Sequence, residues 1–143
     1  MSDEIIFGNR GDAIPSSRAH EEIRILILED NPDDAELMEY HLREAGLVFT
    51  SRLVDTSRQF RDALVEFSPG IILSDYDLPG FSGSQALRIA KDSCPDVPFI
   101  LVTGAIGEES AIEILTSGAT DYVLKNRMSR LAPAVTRALQ EVR

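Results

Sequence analysis

Glu29-Asp30, Asp75, Thr103 and Lys125 are the residues of this chain whose types and positions have the makings of a chemical site, and each stands where an apolar run ends. If the four runs are neighbouring strands, three carboxylates meet on one rim and repel one another strongly at low effective dielectric. A divalent cation relieves that repulsion. Hard oxygen ligands in small number suit Mg²⁺ or Mn²⁺ better than Zn²⁺, and the chain has no His or Cys cluster to offer a softer ion. A carboxylate beside such an ion, with an ammonium and a hydroxyl close by, has the parts needed to receive a phosphoryl group. The acid attacks phosphorus in line while the other groups hold the equatorial oxygens. Asp75 is the expected nucleophile, because Glu29 and Asp30 come as a neighbouring pair fit to hold metal.

The elements that must position these residues can be read from the apolar pattern. Residues 23–28 are nearly all branched and apolar, a buried strand, and Asn31, Pro32, Asp33 and Asp34 then supply a helix cap, a first-turn proline and acids for the positive end of the helix dipole. Ala35, Met38, Leu42 and Ala45 recur at helical spacing up to Gly46. Residues 48–54 alternate as an edge strand does, and a helix capped by Thr56 or Ser57 follows, with Phe60, Leu64 and Phe67 inward. The Asp75 strand leaves through Leu78-Pro79-Gly80. A third helix then opens at Ser82 or Ser84 with Leu87, Ala90 and Cys94 inward. Residues 97–103 form the next buried strand, and a flexible loop at 104–107 leads to a helix with Ala111, Ile112 and Leu115 inward, stopped at Gly118. Residues 121–124 are the last strand. Leu131, Ala134, Val135, Ala138 and Leu139 make the final amphipathic helix, with Pro133 in its first turn.

Strands alternating with helices predict an α/β fold, a doubly wound five-stranded parallel sheet covered on both faces by five helices. Right-handed crossovers favour the flavodoxin-like strand order 2-1-3-4-5, with the switch point between strands one and three. In such sheets ligands bind outside the carboxyl ends of the strands, where all of the polar residues named above fall.

Composition narrows the rest. In 143 residues, 43% are apolar and 27% charged, enough for one domain with a real core. Acids outnumber Lys and Arg by 24 to 14, a net charge of -10, which disfavours general nucleic-acid or anionic-membrane binding. Residues 1–22 are expected to be a mobile leader to a domain spanning 23–143. Met1-Ser2-Asp3-Glu4 lacks the basic start of a secretory signal, and no apolar run approaches the roughly 20 residues that span a bilayer, so a cytoplasmic location is expected. The single cysteine, Cys94, is read as a core thiol, and His20 and His41 as surface residues. Arg127, Arg130 and Arg137 are read as a solvated helix face.

Taken jointly, Glu29-Asp30, Asp75-x-x-Leu78-Pro79-x-x-x-Gly83, Thr103-Gly104 and Gly118-Ala119-x-Asp121-Tyr122-x-x-Lys125 resemble the receiver domain of two-component response regulators over residues 23–143. The resemblance implies that Asp75 is the phosphoacceptor, Glu29 and Asp30 the acidic pair, and Thr103 and Lys125 the phosphate-sensing pair. It further implies the backbone carbonyl of Asp77 as a Mg²⁺ ligand and Tyr122 as an aromatic switch, although a half-buried core tyrosine accounts for Tyr122 equally well. A histidine kinase or phosphotransfer protein would be the phosphoryl source. Output would pass to a protein partner or a dimer through the face made by the fourth helix, fifth strand and fifth helix. Such a protein is not an enzyme beyond transfer to, and hydrolysis from, its own aspartate.

Asp75-x-Asp77 after an apolar strand also resembles the nucleophile motif of haloacid dehalogenase-like phosphatases. In that family the metal-binding acids lie downstream of the lysine, whereas Glu29-Asp30 lies upstream of everything. Two departures from the receiver pattern stand out. Asn126 follows Lys125 where the family usually has a proline in a cis peptide. A cis bond before a non-proline residue costs about 2.5 to 4 kcal/mol, so this loop is either strained or takes another path. Asp77 places a second acid two residues beyond the acceptor, where its side chain would perturb an attacking water.

Overall fold

The computed structural model describes residues 22–104 and 107–142, so the expected leader lies outside the described residues except for Glu22. Its frame is a five-stranded sheet. In chain order the strands are β1 (Ile23–Leu28), β2 (Phe49–Val54), β3 (Ile71–Ser74), β4 (Phe99–Thr103) and β5 (Asp121–Leu124), and side by side they run β2-β1-β3-β4-β5, all parallel. This is the expected doubly wound order.

Because successive side chains of a strand point to opposite faces, each buried strand feeds two cores. Ile25, Ile27, Ile71, Leu73, Ile100 and Val102 face α1 (Pro32–Glu44) and α5 (Leu131–Glu141). Leu26, Leu28, Ile72, Phe99 and Leu101 face α2 (Ser57–Glu66), α3 (Gly83–Ser93) and α4 (Glu108–Thr116). Four successive residues of β1, Ile25 to Leu28, are wholly buried, which is why an unbroken apolar run is needed there.

The helix ends follow from local chemistry. Asn31 Oδ1 accepts from the Asp33 and Asp34 N–H groups at 2.9 and 3.4 Å, with Pro32 at the first position. Thr56 caps α2, and Ser82 forms a reciprocal capping box with Gln85 on α3. Gly118 leaves α4 at φ 118°, a left-handed conformation that a side chain would strain.

The structure corrects several sequence expectations. On α4, Ala111 and Ile114 are buried, whereas Ile112 is 57% and Leu115 37% exposed. This helix of nine residues buries only a narrow stripe at i, i+3. Val48 and Val97 precede their strands. β4 begins only after Pro98, whose missing N–H keeps it out of a ladder while its carbonyl accepts from Ile72. Cys94 ends α3 half-buried against the second core rather than within it. Two features were not anticipated: a small antiparallel hairpin pairing Asp77–Leu78 with Phe81–Ser82, and a 3₁₀ helix, Lys125–Arg130, before α5. Among the described residues, no helix is long and apolar enough to cross a membrane.

Candidate functional site

Strand register puts the acids together. Leu28 is level with Ser74 across β1 and β3, so the next residues, Glu29 and Asp75, leave the sheet side by side. Their backbones are tied to neighbouring strands, Glu29 N–H donating to the Val54 carbonyl at 3.0 Å and Asp75 N–H to the Leu28 carbonyl at 2.9 Å. Carboxylate oxygens of Glu29, Asp30 and Asp75 all lie within 4.8 Å of one another. Glu29 and Asp75 are buried, at 1% and 8% exposure, while Asp30 opens to solvent.

Lys125 closes this cluster. Its ammonium is 2.8 Å from Glu29 Oε1, 2.8 Å from Asp34 Oδ2 and 3.1 Å from Asp75 Oδ2. Burial alone would lower the lysine's pKa, but Asp34, Glu29 and Asp75 more than offset it and hold the net value above the ordinary lysine range. Burial pushes the Glu29 carboxyl up; Lys125 and the Asn31 N–H pull it partly back, and Asp75 adds to the rise.

Asp75 itself is fixed from two sides. Its Oδ1 accepts from the Tyr76 N–H at 2.7 Å and its Oδ2 from Lys125. The buried Ser74 hydroxyl donates to the Asp75 carbonyl at 2.8 Å. Gly83 explains itself here. A Cβ on it would meet that same carbonyl oxygen at 2.7 Å and the Tyr76 Cα at 3.0 Å, both backbone atoms that cannot swing aside. Its N–H donates to the Tyr76 carbonyl at 2.7 Å, pinning the start of α3 against the loop that carries Asp75.

Thr103 is buried at the carboxyl end of β4 and paired in register with Leu124, the residue before Lys125. Hydroxyl and ammonium thus leave adjacent strands at the same rim. No cis peptide occurs among the described residues, so Lys125-Asn126 is trans. Of the two routes open to the sequence, the chain takes the other path and turns directly into the 3₁₀ helix, anchored by the buried Met128 and bent at Arg127 (φ -134°, ψ 49°). Tyr122 lies apart from the acids on β5, 37% exposed. Asp77 starts the hairpin with its residue exposed and is outside the group of clustered carboxylates.

Asp34 is the site residue that sequence reasoning missed. Its place in the first turn suits the helix dipole, yet it stands four residues before the buried Met38, on the inward stripe of α1. An acid on an inward stripe at the sheet's carboxyl edge was the available signal.

The donor set fits a hard cation. Glu29 Oε1 is buried and makes no directed hydrogen bond, since the Lys125 ammonium beside it lies off the hydrogen-bonding directions. A buried carboxylate oxygen in that position is suited to an ion.

Residues 25–136 match the profile of the response regulator receiver domain. Among similar curated proteins, the C4-dicarboxylate transport transcriptional regulatory protein DctD of Pseudomonas aeruginosa is 31% identical over 118 residues, covering 82% of this chain and 25% of that protein. The virulence transcriptional regulatory protein PhoP of Salmonella typhimurium is 33% identical over 106 residues, covering 72% of this chain and 45% of that protein. The chain therefore spans between a quarter and under half the length of these relatives. Among solved structures, the signal receiver domain of a signal transduction histidine kinase from Syntrophus aciditrophicus superposes with a TM-score of 0.72 at 30% identity, covering 85% of this chain and 92% of that one. A CheY-like response regulator receiver domain protein from Methanospirillum hungatei superposes at 0.75 with 24% identity, covering 85% and 97%.

Proposed function

The chain belongs to the response regulator receiver domain family, and on that premise we propose that Asp75 accepts a phosphoryl group from a phosphohistidine of a histidine kinase or phosphotransfer protein. The observation that carries this is the placing of the buried Asp75 carboxylate between an ammonium 3.1 Å away and two further carboxylates within 4.8 Å. In the transfer a carboxylate oxygen of Asp75 forms the new O–P bond as the N–P bond breaks. The imidazole leaves with the electron pair. Lys125 stabilises charge on the phosphoryl oxygens, and Thr103, at the same rim, is the hydroxyl that meets them. Glu29, Asp30, Asp75 and the Asp77 backbone carbonyl are the groups that would hold Mg²⁺, or Mn²⁺ in its place. When bound, that ion supplies charge neutralisation for both carboxylates and phosphoryl group.

The domain is assigned to residues 23–143, in a cytoplasmic protein that acts as a signalling module and not as an enzyme on a separate substrate. Membership of the receiver family, with the acid pair directly after the first strand, replaces the dehalogenase-like reading. Tyr122 is the group that follows Thr103 when the phosphoryl charge arrives, and the face of α4, β5 and α5 passes the change to a protein partner or a second copy. The exposure of Tyr122 supports this, because a side chain half in water changes rotamer without breaking a core.

Intact-mass measurement after incubation with acetyl phosphate and Mg²⁺ tests the proposal. One phosphoryl group should appear on the native chain and none on Asp75→Ala. An unmodified native chain, or an adduct that survives in Asp75→Ala, overturns it.

A further inference from the structure

Asp34 has no task in the phosphoryl-transfer roles given above, yet at 2.8 Å it holds Lys125 as closely as Glu29 does and closer than Asp75. Its backbone is fixed by the Asn31 cap at the start of α1, and Lys125 is fixed at the start of the 3₁₀ helix, so the contact joins two rigid ends 91 residues apart. The ammonium directs N–H donors at Asp34 and Asp75, and Glu29 crowds it at 2.8 Å outside any hydrogen-bonding direction. An arriving phosphoryl oxygen competes with these carboxylates for the same ammonium.

The three partners differ in what they lose. The Glu29 side chain is fully buried, so leaving it without its countercharge is costly. Asp75 becomes the carrier of the phosphoryl group. The Asp34 side chain is 32% exposed and can exchange Lys125 for water cheaply. Resting on the phosphoacceptor role of Asp75, we infer that Asp34 is a positioning residue for Lys125: it holds the ammonium at the site's edge in the unphosphorylated state and is the partner Lys125 gives up when the phosphoryl group binds. Asp34 is thus a brake on phosphorylation, competing for the one ammonium and adding a negative charge that faces an anionic donor.

The test is the rate of adduct formation with subsaturating acetyl phosphate and Mg²⁺, followed by intact mass for the native chain, Asp34→Asn, Asp34→Glu, Lys125→Gln and the Asp34→Asn/Lys125→Gln pair. Asp34→Asn should speed the reaction about two- to fivefold, the size expected of one partly exposed ion pair. Asp34→Glu should return the rate toward native, and in the Lys125→Gln background the Asn substitution should lose most of its effect. A second readout needs neither metal nor phosphoryl group. In chelator, the melting-temperature changes of the two single substitutions should be non-additive in the pair. An unchanged or slower Asp34→Asn, an acceleration that persists without Lys125, or additive melting shifts would each overturn the inference. Failure of every variant, the native chain included, to take a phosphoryl group would instead overturn the phosphoacceptor role and this inference with it.

Discussion

At the corner between β1 and β3, Glu29 and Asp75 are almost fully buried and both touch Lys125; at the sheet's edge, Tyr122 on β5 is 37% exposed, and beside it Arg137 and Asp121 pair at 3.3 Å in water. Both regions belong to the same sheet, the first at the carboxyl ends of its strands and the second along its last strand, and their energetics differ. In the corner, solvent cannot screen a change of charge, so each group's state depends on the others. At the edge, screening and space make single side chains nearly independent. The corner is therefore where a charge is felt, and the edge is where a side chain has freedom to respond.

The largest expected effect comes from taking the ammonium out of the corner. Lys125→Ala leaves the buried Glu29 without its countercharge and should cost about 3 kcal/mol of unfolding free energy in chelator, the range for breaking a buried pair. Millimolar Mg²⁺ should restore part of it, because a cation bound only by the folded state stabilises it. Denaturant unfolding with and without Mg²⁺ measures both, and a small, metal-independent loss would erase the contrast between corner and edge.

Glu29→Gln should act in the opposite direction and less strongly. Burial raises the folded pKa of Glu29 above its unfolded value, so its contribution to stability is fully present below the unfolded pKa of about 4.3 and is lost as pH rises through the folded pKa. The Gln variant has no such loss. In chelator it should melt a few degrees above the native chain at neutral pH, with the gap closing on acidification toward pH ~4. Melting curves across that window check the sign; a native chain more stable at neutral pH would mean that the Lys125 pair outweighs burial.

The smallest effect belongs to the edge. Tyr122→Ala should change unfolding free energy by no more than about 0.5 kcal/mol, as substitutions outside the core generally do. A loss several times larger in the same denaturant assay would place Tyr122 in the core and remove its freedom to move.

Much of this was legible in the sequence because it depends on local pattern. The unbroken apolar runs ending in Glu29, Asp75 and Thr103 announce buried strands whose ends carry polar groups, and a parallel sheet puts all such ends on one rim. Asn31, Ser82 and Gly118 mark helix ends through hydrogen bonds and backbone angles that involve only a few residues. The face of α4 was not legible: Ala111 can belong to a stripe with Ile114 or with Leu115, and only the neighbouring elements choose. Asp34 was hidden for a related reason, since an acid in a first helical turn has a sufficient local explanation in the dipole. Its partner lies 91 residues away.

The strand order, the rim, and the presence there of Glu29, Asp30, Asp75, Thr103 and Lys125 follow from the residue pattern alone, because alternation of buried strands and capped helices leaves few ways to wind a sheet. The tertiary structure decided three things. It distributed Lys125 among Glu29, Asp34 and Asp75; it routed the chain after Lys125 through a trans peptide into a 3₁₀ helix; and it required glycine at position 83. Each of these rests on a distance of a few ångströms between segments remote in the chain, set by the packing of whole helices against the sheet and written in no short stretch of residues.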